Sequence, residues 1–376
     1  RALVALRPAD PMAQHLLGIA AAETGDVALA RSALEQALQL DAKFAPALSA
    51  LGMFELREGH AEAGRARLEA ALAADQRHAP AALALAALAN ADGRGADAVA
   101  LLERFIAADR QAMEPRWALA QQYLRAGDRE RALRMADETL AIAPNHPRGR
   151  LLWSYVQLSA GKADEAYATL TDLQRRQADN PSTVLLYADA ARASGHHDEA
   201  RKAYRRVTVL APQAIEPWRG LFALALDTRD VAAAEAAIAE LRRLNPKAPD
   251  ADAATAALAS QQGKPAAAVA ALQAAFAKDR STLRLLQLAD AERQRGEGDA
   301  ARALLTDWLA AHPDDLLARE SLAMAELGDG RLPEARAAFE RLLEARAGHA
   351  VALNNLAWLY DEAGDPRALD YAERAR

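Results

Sequence analysis

The chain has 376 residues, a net charge of −6, 5% aromatic residues and no cysteine. The missing thiols exclude disulfides, cysteine catalysis and cysteine-based zinc sites. The acidic balance without a basic stripe argues against nucleic-acid binding, and no apolar run reaches the ~18–20 residues that would cross a bilayer.

Glycines divide the chain into repeats. Gly25, Gly59, Gly93, Gly127, Gly161 and Gly195 recur every 34 residues, Arg229 holds the next place, and Gly263, Gly296, Gly330 and Gly364 continue the series. A residue without Cβ suits the tight turn between two helices, and an Asp after it, as at Asp26, Asp128, Asp230 and Asp365, can cap the second one. The opening residues Arg1–Arg7 read as the tail of a second helix, because Pro8 already occupies an inter-repeat position.

Within each repeat the first helix carries a large residue followed by a small one: Leu17-Gly18, Leu51-Gly52, Leu85-Ala86, Leu119-Ala120, Leu288-Ala289, Leu322-Ala323 and Leu356-Ala357. The second helix carries a small residue five places after the glycine and a large one four places later, as in Ala30/Leu34, Ala98/Leu102, Ala166/Leu170 and Ala335/Phe339. These stripes predict helix pairs packed at close range. All sixteen prolines fall between repeats or in first turns, where the missing N–H is tolerated.

Repeat eight breaks the pattern. Its first helix, Asp250–Gln262, has few large side chains, Arg229 occupies the preceding glycine place, and the connection Lys278–Thr282 is one residue short and lacks proline. Residues 245–282 are therefore expected to be the least stable stretch and the place where the array bends. At the far end, residues 366–376 read as an unfinished second helix. The expectation is one solenoid over residues 1–376, cut from a longer protein at both ends.

The 34-residue period, the Leu-Gly pair, the turn glycine, the later Ala and Phe-like residue and the inter-repeat Pro resemble the tetratricopeptide (TPR) pattern. Repeats four (Trp117, Leu119, Ala120, Tyr123, Gly127, Ala132, Pro144) and eleven (Leu353, Leu356, Ala357, Tyr360, Gly364) match well. The resemblance implies an all-α fold, a right-handed α-solenoid of about eleven repeats whose first helices line a concave face. It also implies a protein-binding scaffold rather than an enzyme.

No catalytic constellation competes with that reading. His196-His197-Asp198-Glu199 lacks a ligand pair one turn apart and reads as a solvated turn, Asp314, Asp315 and Glu23 as helix-end acids, and Gly93-Arg94-Gly95 and Gly296-Glu297-Gly298 as turns with no preceding strand. No cofactor or metal is expected. On the inner face the candidate protein-binding residues are Met53, Trp117, Gln121, Tyr155, Asp189, Arg219, Asp290 and Glu320. Met53, Trp117 and Tyr155 could form an apolar trough for a peptide or partner helix, or could be packing residues between repeats; Leu83 and Leu151 read as packing. Asn354 and Asn355 resemble part of the carboxylate clamp of chaperone-binding TPR adaptors, but the inner positions hold no lysine.

Residues 351–369 (VALNNLAWLYDEAGDPRAL) further resemble a late repeat of the bacterial PEP-CTERM system TPR-repeat lipoproteins. That resemblance implies an exported lipoprotein of the periplasm or cell envelope, anchored through an N-terminal cysteine outside this sequence and acting in exopolysaccharide production or surface-protein sorting. Two further readings stand beside it: a cytoplasmic adaptor, and the regulatory repeat region of an enzyme such as a glycosyltransferase.

Overall fold

The structure, a computed structural model, describes residues 2–376. The described residues form 23 helices and no strand. Two compact units divide the chain, residues 1–196 and 197–376. The first holds α1 (Ala2–Leu6), α2 (Pro11–Glu23), α3 (Val27–Leu40), α4 (Ala45–Arg57), α5 (Ala61–Ala74), α6 (Ala79–Ala91), α7 (Gly95–Ala108), α8 (Met113–Arg125), α9 (Arg129–Ile142), α10 (Pro147–Ser159), α11 (Ala163–Arg176) and α12 (Pro181–Ala193). The second holds α13 (His197–Leu210), α14 (Glu216–Asp227), α15 (Val231–Leu244), α16 (Asp250–Gln261), α17 (Pro265–Lys278), α18 (Thr282–Gln294), α19 (Gly298–Ala311), α20 (Leu316–Gly328), α21 (Leu332–Ala345), α22 (Ala350–Glu362) and α23 (Arg367–Arg374).

Each turn glycine has positive φ, and where Asp26, Asp128 or Asp230 stands at the start of a second helix, that residue closes the helix behind while capping the helix ahead. The Asp26 N–H donates to the Ala21 carbonyl at 2.9 Å, and the Asp26 carboxylate accepts from the Leu29 N–H at 3.0 Å. Asp128 repeats both bonds with Tyr123 and Arg131. One residue thereby satisfies orphan groups of two helices, which explains how a three-residue turn suffices. Arg229 makes the same turn at φ 55, alone among described non-glycine residues in having positive φ, with Asp230 bonded to Ala225 and Ala233. Left-handed backbone at a side chain of this size costs about 1–2 kcal/mol, partly offset by glycine's larger unfolded-state entropy. Arg229→Gly should therefore raise stability by about 0.5–1 kcal/mol in chemical denaturation; a loss would mean that the Arg229 side chain contributes contacts worth more than the strain.

The stripes meet as their spacing requires. The small residues Ala30, Ala98, Ala132, Ala166, Ala200, Ala234 and Ala335 are fully buried, as are Leu34, Leu68, Leu102, Leu170, Tyr204 and Phe339 four places on. The signature tyrosines Tyr123 and Tyr360 add a polar tie between repeats. Tyr123 Oη donates to Glu103 at 2.5 Å, and Tyr360 Oη donates to Glu340. Burial, then the adjoining glutamate, pushes both phenols up to about 12.

Repeat eight packs differently from its neighbours without interrupting the array. The buried side of α16 is Ala251, Ala254, Ala256, Leu258 and Ala259. Ion pairs supplement this thin packing: Asp250 with Arg219, and Asp252 with Lys278 at 2.6 Å and Arg242 at 3.5 Å. Lys278 Nζ also donates to the Pro246 carbonyl, and Ser281 caps α18 in the short connection. The division between the two compact units falls after His196. Charge ties that span α14 to α17 were not legible from apolar periodicity.

Candidate functional site

First helices pack directly on one another: α2 on α4, α4 on α6, α6 on α8, α8 on α10 and α10 on α12 in the first unit, and α14 on α16 and α18 on α20 in the second. Second helices make no comparable contact among the described residues. The first unit therefore presents one close-set rank of first helices and the second unit presents close-set pairs, and the candidate residues belong to these first helices.

Trp117 on α8 and Tyr155 on α10 come together. Their rings stack at 5.3 Å between centroids with 24° between planes. Both are half-buried, with one side on the core around Leu119, Tyr123 and Val156, so they are packing residues and surface residues at once. Leu83 and Leu151 lean on the cores, as expected of packing residues. Met53 on α4 is 40% exposed. Gln121, one turn beyond Trp117, is half-buried. Asp189 on α12 is half-buried too.

In the second unit the candidates do not converge. Arg219 donates to Asp250, tying α14 to α16. Asp290 accepts from Arg293 at 2.7 Å and Gln294 at 2.6 Å within α18. Glu320 lies 3.4 Å from His349. Met324 and Trp358, in matching places on α20 and α22, are 45% and 47% exposed and form the apolar part of this rank. His196, read from sequence as a solvated turn, stacks on Tyr167 at 4.1 Å, and Tyr167 stacks on Tyr187 at 5.5 Å. A single column of the repeat cannot reveal that cluster, because its rings come from α11, α12 and the turn after α12.

The first rank also carries a histidine pair. His78, at the start of α6, is bonded through Nε2 to Ser49 Oγ on α4 at 2.7 Å. His15 on α2 sits edge-on to Phe44, with Nδ1 buried and without a partner. Burial lowers both histidines, and their mutual repulsion lowers His15 further. A histidine whose folded pKa lies below its unfolded value of about 6.5 resists the proton that the unfolded chain accepts. Stability should thus be full above pH 6.5 and decline as pH falls below it. Denaturation midpoints at pH 7.5 and 5.5 check this, and His15→Gln/His78→Gln should flatten the difference; an unchanged slope would assign it to other groups.

No described group of three or more His, Asp or Glu side chains is arranged to hold a metal ion, and no described helix is long and apolar enough to cross a membrane.

Profiles described as Tetratricopeptide repeat match residues 286–350 and 322–376, residues 157–221, and residues 11–36 and 113–138, together more than half of the chain. Among solved structures, yeast Tom70 is similar over 98% of this chain and 93% of its own, with a TM-score of 0.58 and 15% identity. That similarity is one of fold. A chain of the APC/C hetero-tetramer Cut9–Hcn1 gives a TM-score of 0.46 at 15% identity, over 93% of this chain and 76% of that one. PilF of Pseudomonas aeruginosa gives 0.42 at 22%, over 54% and 92%. No curated protein sequence matches.

Proposed function

Because the chain belongs to the tetratricopeptide-repeat family, we propose that it is a non-catalytic scaffold that holds a protein or peptide partner along its rank of first helices. The observation that carries this reading is the Trp117–Tyr155 stack. Two large rings held by the core on one side and open on the other form a rigid amphipathic anchor, the kind of surface on which binding energy concentrates. In this reading the concave trough of the first unit runs past Met53, Trp117, Gln121 and Tyr155 to the polar Asp189, and Arg219, Asp290 and Glu320 are the polar candidates on the first helices of the second unit.

The setting we propose is the bacterial cell envelope, in exopolysaccharide production or export or in surface-protein sorting. Support comes from the likeness of residues 351–369 to the PEP-CTERM system TPR lipoproteins. Cross-linking and affinity capture of the full-length protein in its native cells test the setting. Recovery of envelope export or sorting proteins is the expected result. Recovery of cytosolic proteins alone would replace it with a cytoplasmic adaptor, and a catalytic domain on the same polypeptide with a regulatory repeat region.

A further inference from the structure

The 34-residue period allows one cleft to be compared with its counterpart elsewhere in the chain. Between α5 and α7, over α6, lies a cleft of about 550 Å³ lined by Arg65, Glu69, Leu85 and Leu101 among others. Four repeats later, the same places between α13 and α15, over α14, line a cleft of about 260 Å³ with Arg201, Arg205, Leu221 and Ala237. The architecture is shared, and the charges are not.

In the first cleft Arg65 and Arg94 are satisfied internally. Arg65 donates to Asp92 of the next repeat at 2.6 Å, and Arg94 joins Asp92 and Asp97. The same tie, 27 residues apart, links Arg31 to Glu58 and Arg302 to Asp329. Arg201 is the equivalent arginine in the second cleft, but the residue 27 places on is Thr228, whose hydroxyl donates back to the Leu224 carbonyl at 2.9 Å. Arg205 stands where Glu103 and Glu340 accept the hydroxyls of Tyr123 and Tyr360, and Ala225 takes the tyrosine's place. Neither Arg201 nor Arg205 makes an ion pair among the described residues. Asp230, the acid in this lining, is engaged as the cap of α15. Trp218 fills the place of Ala82, half-buried in the lining.

We propose that the α13–α15 cleft receives an acidic side chain of a partner protein, its carboxylate held by Arg201 and Arg205 and its apolar neighbour resting on Trp218, Leu221 and Ala237. Two guanidiniums one helical turn apart offer the fork geometry that binds carboxylate, and the surrounding apolar wall strengthens such bonds by excluding water. A peptide fits better than a nucleic acid. The lining holds two cations and one acid, the chain as a whole carries −6, and phosphate-backbone binding needs an extended basic surface. The site lies on different helices from the Trp117–Tyr155 face and does not depend on it.

Selection of random twelve-residue peptides by display on the full chain tests the proposal, followed by affinity measurement of the enriched peptides. Enrichment of Asp or Glu beside a large apolar residue is expected, with binding that weakens as salt rises. Arg201→Gln and Arg205→Gln should each weaken those peptides about tenfold. Arg201→Glu/Arg205→Glu should abolish binding with helicity retained by circular dichroism. Trp117→Ala/Tyr155→Ala should leave it unchanged, which separates this site from the first-helix face. Peptides without acidic enrichment, or acidic peptides that bind the Gln variants as well as the parent chain, would overturn the assignment.

Discussion

Replacing Gly220 by alanine is expected to destabilise the unit of residues 197–376 by about 3 kcal/mol, at the upper end of the usual cost of overpacking. In an exposed helix interior the same change would stabilise by about 1 kcal/mol. Here a Cβ at position 220 would lie 2.1 Å from Tyr204 Cε1 and 2.4 Å from Cζ. Tyr204 is fully buried on α13 and has no room to retreat, so α13 and α14 must separate. Guanidinium denaturation gives the value directly. Gly220→Ala/Tyr204→Leu should cost less than the two changes summed, because removing the ring removes the clash. A gain in stability for the single variant, as helix propensity alone would give, would show that the two helices are not in this contact.

The second large effect is on binding. Trp117→Ala/Tyr155→Ala should weaken partner capture by at least about thirtyfold, the loss typical of an interface hot spot worth about 2 kcal/mol. A structural cost accompanies it. Each ring rests on the core of repeats three to five, and removing partly buried aromatic area should lower stability by roughly 1–2 kcal/mol per site, less than the 3–5 typical of a fully buried aromatic. Tyr155→Phe keeps the stack and should keep both properties. If the double variant loses cooperative unfolding while its partner still binds, the pair is core and the trough lies elsewhere.

Much of the fold was legible because each repeat restates the same local rules. The expected turn glycines all have positive φ, the expected caps Asp26, Asp128 and Asp230 accept their bonds, and the expected small residues are buried, whereas Asp365 is not the cap of α23: Pro366 takes that place and the Asp365 carboxylate accepts from Arg367. Repetition turns a weak local signal into a strong one, since an error in register would misplace every copy. The candidate face was legible only in part. Trp117 and Tyr155 could be placed on the two inner columns of successive repeats, Trp117 level with Leu151 and Tyr155 level with Gln121, but their dual contact with core and surface depends on how far each ring reaches. Arg219 sat on the expected rank, yet its partner Asp250 lies 31 residues away, a pairing that no periodicity announces.

The sequence by itself determined the helix pairs, their turns and their apolar faces. Each depends on backbone dihedrals, capping and side-chain periodicity, which act within about ten residues. Tertiary structure decided which charges are satisfied and which are left open. Arg65 and Arg201 hold the same place in the repeat and differ only in what the following repeat sets opposite them, Asp92 or Thr228. Whether an arginine is a structural tie or a free binding group is a property of two helices brought together, because an ion pair exists only where both partners meet within a few ångströms.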